Sequence, residues 1–216
     1  KHSQKEELIK ELLNSFEMQN DTKHHDVVFC IYNDDRIEKV YASRYVLSAS
    51  SNYFRAIFCG QMIESAESQI VTVEINDIQP DTFRVLIRWL YGQSFEDATS
   101  NMFETSEDQS SDFEARCLTF LIDLLKASDI YQVDPLKDII EEKIITKSYV
   151  NVNNVVETLK WAQECSAPQL MDYCERYIEL NRELIIQKRK DNINNAENEE
   201  DRQLEKEMLN CLYQKY

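Results

Sequence analysis

Residues 25–58 read HDVVFCIYNDDRIEKVYASRYVLSASSNYFRAIF, and residues 70–92 read IVTVEINDIQPDTFRVLIRWLYG. Residues 27–32 form a continuous apolar run rich in β-branched and aromatic side chains. The turn formers Asn33, Asp34 and Asp35 follow it, and then a second short extended piece over 37–41. This pattern predicts a β-hairpin. Val46, Leu47, Tyr53, Phe54, Ile57 and Phe58 recur at helical spacing, interrupted by Ser48-Ala49-Ser50-Ser51-Asn52, where short polar side chains compete for the backbone. Two short helices are expected there. Residues 70–75 alternate as a strand does. Pro80 near a helix start and Gly92 past its end bracket a buried helix carrying Phe83, Leu86, Ile87 and Leu90.

Outward from this block, residues 5–18 place Leu8, Ile9, Leu12, Leu13 and Phe16 on one helical face, which must dock on something. Residues 94–115 hold seven acidic side chains and no basic one, interleaved with Ser and Thr. Such a stretch cannot offset chain entropy by burial, so residues 93–116 read as a mobile acidic insertion. Ser111 with Glu114 is a capping-box signature, after which Leu118, Leu121, Ile122 and Leu125 resume a helical stripe. Helices are expected from Asp134-Pro135 onward, over 152–165, and over 168–180. Residues 182–216 read as a charged tail, solvated over 192–207, with a helix of low intrinsic stability.

The formal charge of −16 disfavours a phosphate backbone as partner, because nucleic-acid affinity rests on clustered Lys and Arg. No apolar run is long enough to cross a bilayer, and the amino end is charged and amphipathic, so a cytosolic or nuclear protein is expected. A first residue of Lys suggests a piece of a longer protein. The six cysteines show no C-x-x-C pair and no Cys/His spacing for a metal, so they read as small core residues. His2, His24 and His25 are the only histidines. Two glycines leave no phosphate-cradling loop, and no nucleophile elbow is present. Acidic pairs such as Glu141-Glu142 and Glu199-Glu200 read as solvated helix faces. Neither an enzyme site nor a cofactor or metal site is expected.

The order of these blocks resembles the BTB/POZ domain family over residues 25–92, continued by LTFLIDLLKASDIYQVDPLKDIIEEKI at 118–144. The resemblance implies an α+β fold, a helical cluster flanked by a short, mainly three-stranded sheet. Asp26 matches the aspartate that opens the first strand, and Ala42-Ser43-Arg44 matches an alanine-histidine-arginine step, with Ser43 in place of the histidine. In the family, Asp26 and Arg44 would lie together near a charged pocket or the dimer core, as an ion pair that fixes geometry or as a ligand site. Leu47, Ser51, Tyr53, Phe54 and Phe58 match a core-packing block. VEINDIQP at 73–80 is similar to speckle-type POZ adaptors of Cullin-3 ubiquitin ligases, where a hydrophobic-x-Glu motif precedes this strand. Met62-Ile63-Glu64 stands in that place. By the same resemblance, Phe58 and Tyr131 belong to the cullin-binding face.

Residues 148–181 resemble the three-box or BACK-like helical pair that follows the BTB core in cullin adaptors. The implied organisation is a helix over 1–24, a BTB/POZ domain over 25–147 with the insertion, the helical pair over 148–181, and the tail. The implied function is a substrate adaptor that binds the Cullin-3 amino-terminal domain. It would homodimerise with help from Leu8, Leu12 and Phe16, and hold substrate through regions outside this chain. The other reading is a BTB assembly module that dimerises or recruits regulators without cullin. The insertion is either a neutral loop or a regulatory element open to phosphorylation.

Overall fold

The computed structural model of the chain describes residues 2–18, 25–33, 36–59, 70–103, 111–196 and 198–215. The chain divides into two compact units, Lys1–Ile140 and Glu141–Tyr216, and the division falls inside one helix.

The first unit is built on a three-stranded sheet ordered β2-β1-β3: β1 is Val27–Asn33, β2 is Arg36–Ala42 and β3 is Val71–Ile75. β1 pairs antiparallel with β2 and parallel with β3, so Phe29 lies between Val40 and Val73. A parallel pair needs a crossover. Two helices intervene in sequence, α2 (Arg44–Ser50) and α3 (Asn52–Cys59), separated at Ser51, whose backbone is extended. β1 reads as an unbroken apolar run because both its faces are covered: Val27, Phe29 and Ile31 have no exposed surface, and Val28 and Cys30 are also buried.

α4 (Pro80–Leu90) starts with Pro at its first turn and ends before Gly92, which takes a positive φ of 94°. A Cβ there would lie 3.3 Å from Ile9, so glycine also permits the close approach of α1 (His2–Glu17). Phe16, on the same helix, is buried against Tyr91 with ring centroids 5.0 Å apart. Tyr91 in turn accepts a 2.7 Å hydrogen bond from the Ser43 amide at the start of α2.

Residues 93–103 depart from the expected mobile insertion. They form α5 (Phe95–Ala98) and α6 (Ser100–Phe103), with Phe95, Ala98 and Thr99 buried. The Ser94 hydroxyl accepts from the Asp97 amide at 3.2 Å, an N-cap that composition alone conceals. Residues 104–110 lie outside the described residues. α7 (Ser111–Ile130) resumes where the capping signature places it, and α8 (Asp134–Thr146) follows.

In the second unit α9 (Val155–Glu164) and α10 (Pro168–Asn195) form the expected helical pair. α9 starts after a turn in which the Asn154 carboxamide accepts from the Asn151 amide at 2.8 Å. Glu141 is not solvated, contrary to its reading as a surface acid. It is fully buried, and its carboxylate accepts from the Leu170 amide at 2.8 Å, where the N-terminal amides of α10 lack helical partners.

Residues 192–207 stay mostly exposed, as expected, but the tail is anchored to the rest of the second unit. α10 continues through a bend at Asn181 to Asn195, and α11 (Glu199–Lys215) follows it. The reason is Arg189, a charged residue 1% exposed. Its guanidinium donates to both oxygens of Glu157 at 2.6 and 3.0 Å, to Glu205 at 3.0 Å and to the Asn153 carbonyl at 2.9 Å. Burial works against that charge, and hydrogen bonds and attraction to the two carboxylates more than offset it.

Replacing Arg189 by Met strands the two carboxylates. Glu157 keeps 37% of its side chain exposed, so the expected cost is about 3 kcal/mol, the low end for breaking a buried pair. A urea unfolding midpoint equal to that of the parent chain would refute the clamp.

Burial pushes the Tyr91 hydroxyl up to about 12 from the ordinary 10.0, although the Ser43 hydrogen bond acts the other way. A raised folded-state value means that its contribution to stability is complete below pH 10 and is lost as pH rises through about 12. Stability measured across that window should fall, and Tyr91→Phe should make the fall shallower.

Candidate functional site

Two places gather the residues singled out in the sequence. The first is the start of β1. The Asp26 backbone amide donates to the Ala42 carbonyl, and its carbonyl accepts from the Val71 amide, so both neighbouring strands hold it. Its carboxylate accepts from the Arg44 amide at 2.7 Å and from Arg44 Nε at 3.0 Å. Asp26 therefore caps α2 across the sheet, while the Ser43 side chain, at the N-cap position, makes no cap bond. Side-chain exposures of 45% for Asp26 and 26% for Arg44 make this a half-solvated pair rather than a buried one. Solvent screening then limits its energy, and its main effect is to fix where α2 leaves the sheet.

The second place is a cleft of about 160 Å³ bordered by α3, the β3–α4 segment and the end of α7. Its walls form an aromatic ladder. Phe58 stacks on Phe54 at 5.8 Å with planes 5° apart, and Phe54 stacks on Tyr131 at 5.1 Å. Tyr53 meets Tyr131 edge-on at 5.0 Å. Phe29 and Phe83 lie behind, centred 5.7 Å from Phe54 and 5.8 Å from Tyr131 respectively. The Ser51 hydroxyl joins α3 to the end of α7: it donates to the Tyr131 carbonyl at 2.7 Å and accepts from the Phe54 amide at 3.3 Å.

Ile57, Phe58 and Ile130 also line it, with Ile130 45% exposed, and Glu74 and Asp77 bring carboxylates to the lining. The Tyr131 hydroxyl is held protonated well above the usual phenol range, first by burial and then by Tyr53 and Asp77. An apolar floor with carboxylates at its edge suits the side chains of another protein.

The structure thus brings Phe58 and Tyr131 into one cleft. Met62, Ile63 and Glu64 lie outside the described residues. Of the three α1 positions expected at a dimer interface, Phe16 is buried within its own chain and so is not free to contact a second copy. Leu12 is half-buried, and Leu8 is 56% exposed. Ile130, Asn76 and Asp77 belong to the cleft and were not singled out. They sit at element ends, where periodicity carries no signal.

Four cysteines, Cys30, Cys117, Cys165 and Cys174, are buried, and Cys59 is exposed. Among the described residues no group of three or more His, Cys, Asp or Glu is placed to hold a metal ion, and no helix is long and apolar enough to cross a membrane.

Comparison with known proteins agrees with this architecture. The BTB/POZ domain family model matches residues 14–148, more than half of the chain. Kelch-like protein 6 of Homo sapiens is 27% identical over 154 residues, covering 62% of this chain and 22% of the relative. BTB/POZ and MATH domain-containing protein 6 of Arabidopsis thaliana is 25% identical over 154 residues, covering 69% of this chain and 34% of the relative. The solved BTB domain of zebrafish PATZ1 aligns with a TM-score of 0.42 at 19% identity, over 65% of this chain and 90% of its own. The matches span about a quarter to a third of the length of these two curated relatives. BTB/POZ domains are protein-interaction modules, and with a family match across the sheet, the cleft and α8, this chain belongs to the BTB/POZ domain family.

Proposed function

We propose that this chain is the scaffold-binding part of a substrate adaptor, which docks the amino-terminal domain of Cullin-3 on the cleft face and pairs with a second copy of itself. The observation that carries this reading is the position of the aromatic cleft. It is lined by the end of α3 and by β3, the two elements between which Met62-Ile63-Glu64 falls in sequence. A flexible apolar anchor beside a carboxylate suits a groove on a helical partner: Met repacks readily, and Glu sets orientation through a charged hydrogen bond. Ile57, Phe58 and Ile130 would extend the same apolar contact. The outward side of α1, with Leu8 and Leu12, is the part of that helix left for a two-fold contact.

Substrate, in this reading, is held by regions outside the chain. The name of the Arabidopsis thaliana relative pairs a BTB/POZ domain with a MATH domain, consistent with that division of labour. The other function, assembly through the BTB domain without cullin, is favoured by Ser43 in place of the family's histidine.

Calorimetry with purified Cullin-3 amino-terminal domain separates the two. The intact chain should bind in the sub-micromolar range. Met62→Ala with Glu64→Ala, and independently Ile130→Glu, should each weaken binding by about 30-fold or more, the loss expected at hot-spot positions. An intact chain that does not bind leaves the assembly module.

A further inference from the structure

The first unit has a second opening, a groove of about 590 Å³ bordered by the start of α4, by α6 and by α7. Asp77 and Ile78 line the aromatic cleft, and Gln79, Asp81 and Thr82, just beyond them in sequence, line this groove, so one segment borders both. Nothing in the proposed cullin contact uses the second opening. Met102 and Phe120 give it apolar walls, and its volume is in the range that binding sites occupy.

The fold leaves hydrogen-bond donors here without partners. α4 begins with no side-chain cap at Gln79, and the first of its amides to bond back is that of Phe83, to the Gln79 carbonyl at 3.0 Å. Pro80 has no amide hydrogen, so the amides of Asp81 and Thr82 are left over at this helix end. Thr82 itself is 2% exposed, and its hydroxyl has no partner among the described residues. The Thr119 hydroxyl, which lines the same groove, is used: it donates to the Ala115 carbonyl at 2.9 Å. A hydroxyl as buried as that of Thr82 and left unbonded destabilises the fold. Packing gives no reason to keep it.

The charges select the occupant. Asp123 is held by Lys126 at 3.3 Å, and Asp81 stands in the first turn of α4, where it offsets the positive helix end. Arg116 engages no carboxylate among the described residues, in a chain with 40 acidic side chains and 24 Lys and Arg. The groups left available are therefore all donors. We propose that this groove binds an acidic peptide segment of a partner protein. An apolar side chain of the segment lies on Met102 and Phe120, a neighbouring carboxylate pairs with the Arg116 guanidinium, and the Thr82 hydroxyl donates to an oxygen of the segment. Arginine suits that role because its fork matches a carboxylate with two parallel bonds. The partner contact goes beyond the cullin reading and does not rest on it.

The probe is the blocked peptide acetyl-Leu-Glu-Leu-Glu-amide, titrated to millimolar concentration into the isotope-labelled full chain and followed by amide chemical shifts, with acetyl-Leu-Gln-Leu-Gln-amide as control. Signals of Thr82, Arg116 and Phe120 should move with the glutamate peptide, and the glutamine peptide should bind about tenfold more weakly, the loss of one charged pair. Arg116→Glu should abolish the preference between the two. Thr82→Val should weaken the glutamate peptide about fivefold, the loss of one hydrogen bond, and should raise the thermal midpoint of the free chain, because it removes an unbonded hydroxyl. Shifts scattered over the surface, equal affinity for the two peptides, or a preference that survives Arg116→Glu would each overturn the proposal. A lowered midpoint for Thr82→Val would also overturn it, since the hydroxyl would then be bonded within the fold. Ile130→Glu, aimed at the cullin contact, should leave the titration unchanged, so the two readings fail separately.

Discussion

Phe29 sits at the centre of the middle strand, with Phe54 of α3 at 5.7 Å and Phe83 of α4 at 4.9 Å. The first unit depends on this meeting of three rings. A strand paired on both sides and covered on both faces must be apolar throughout, and two helices must reach it through one residue each. Once Phe54 is committed to that core, its other side is left for Phe58 and Tyr131. The cleft is thus the outer surface of the core rather than a separately built pocket. Ser51 adds the directional element, because its hydroxyl can satisfy the Tyr131 carbonyl only if α3 begins where it does.

A second constraint orders the other unit. Arg189 and Glu141 are buried polar side chains, and each is engaged by groups distant in sequence: Glu157 and Glu205 for the first, the amino end of α10 for the second. Desolvated charges tolerate few geometries, so they define helix positions more sharply than apolar packing would. Their effect is to make α11 a fixed layer rather than a trailing polar segment.

The strands, α4 and the α9–α10 pair were legible because each is a local pattern: a period of two, a period of 3.6, a proline before and a glycine after. The departures are equally local in origin. Residues 93–103 were read by composition, and the acidic count outweighed Phe95 and the Ser94 cap. Glu141 was read as solvated because charged residues almost always are, and Arg189 was not singled out for the same reason. No feature of the neighbouring sequence marks them otherwise.

The cleft was half legible. Phe58 and Tyr131 came with the family resemblance, whereas Ile130 and Asp77 came only with coordinates. Sequence alone determined most of the strands and helices and that the chain carries a BTB-type block. Those properties are written in neighbours a few positions apart. Tertiary structure alone decided that Asp26 caps a helix 18 residues on, that Phe16 is internal, and that the tail docks through a buried arginine. Each of these depends on which distant groups share a low-dielectric space, and spacing along the chain does not encode that.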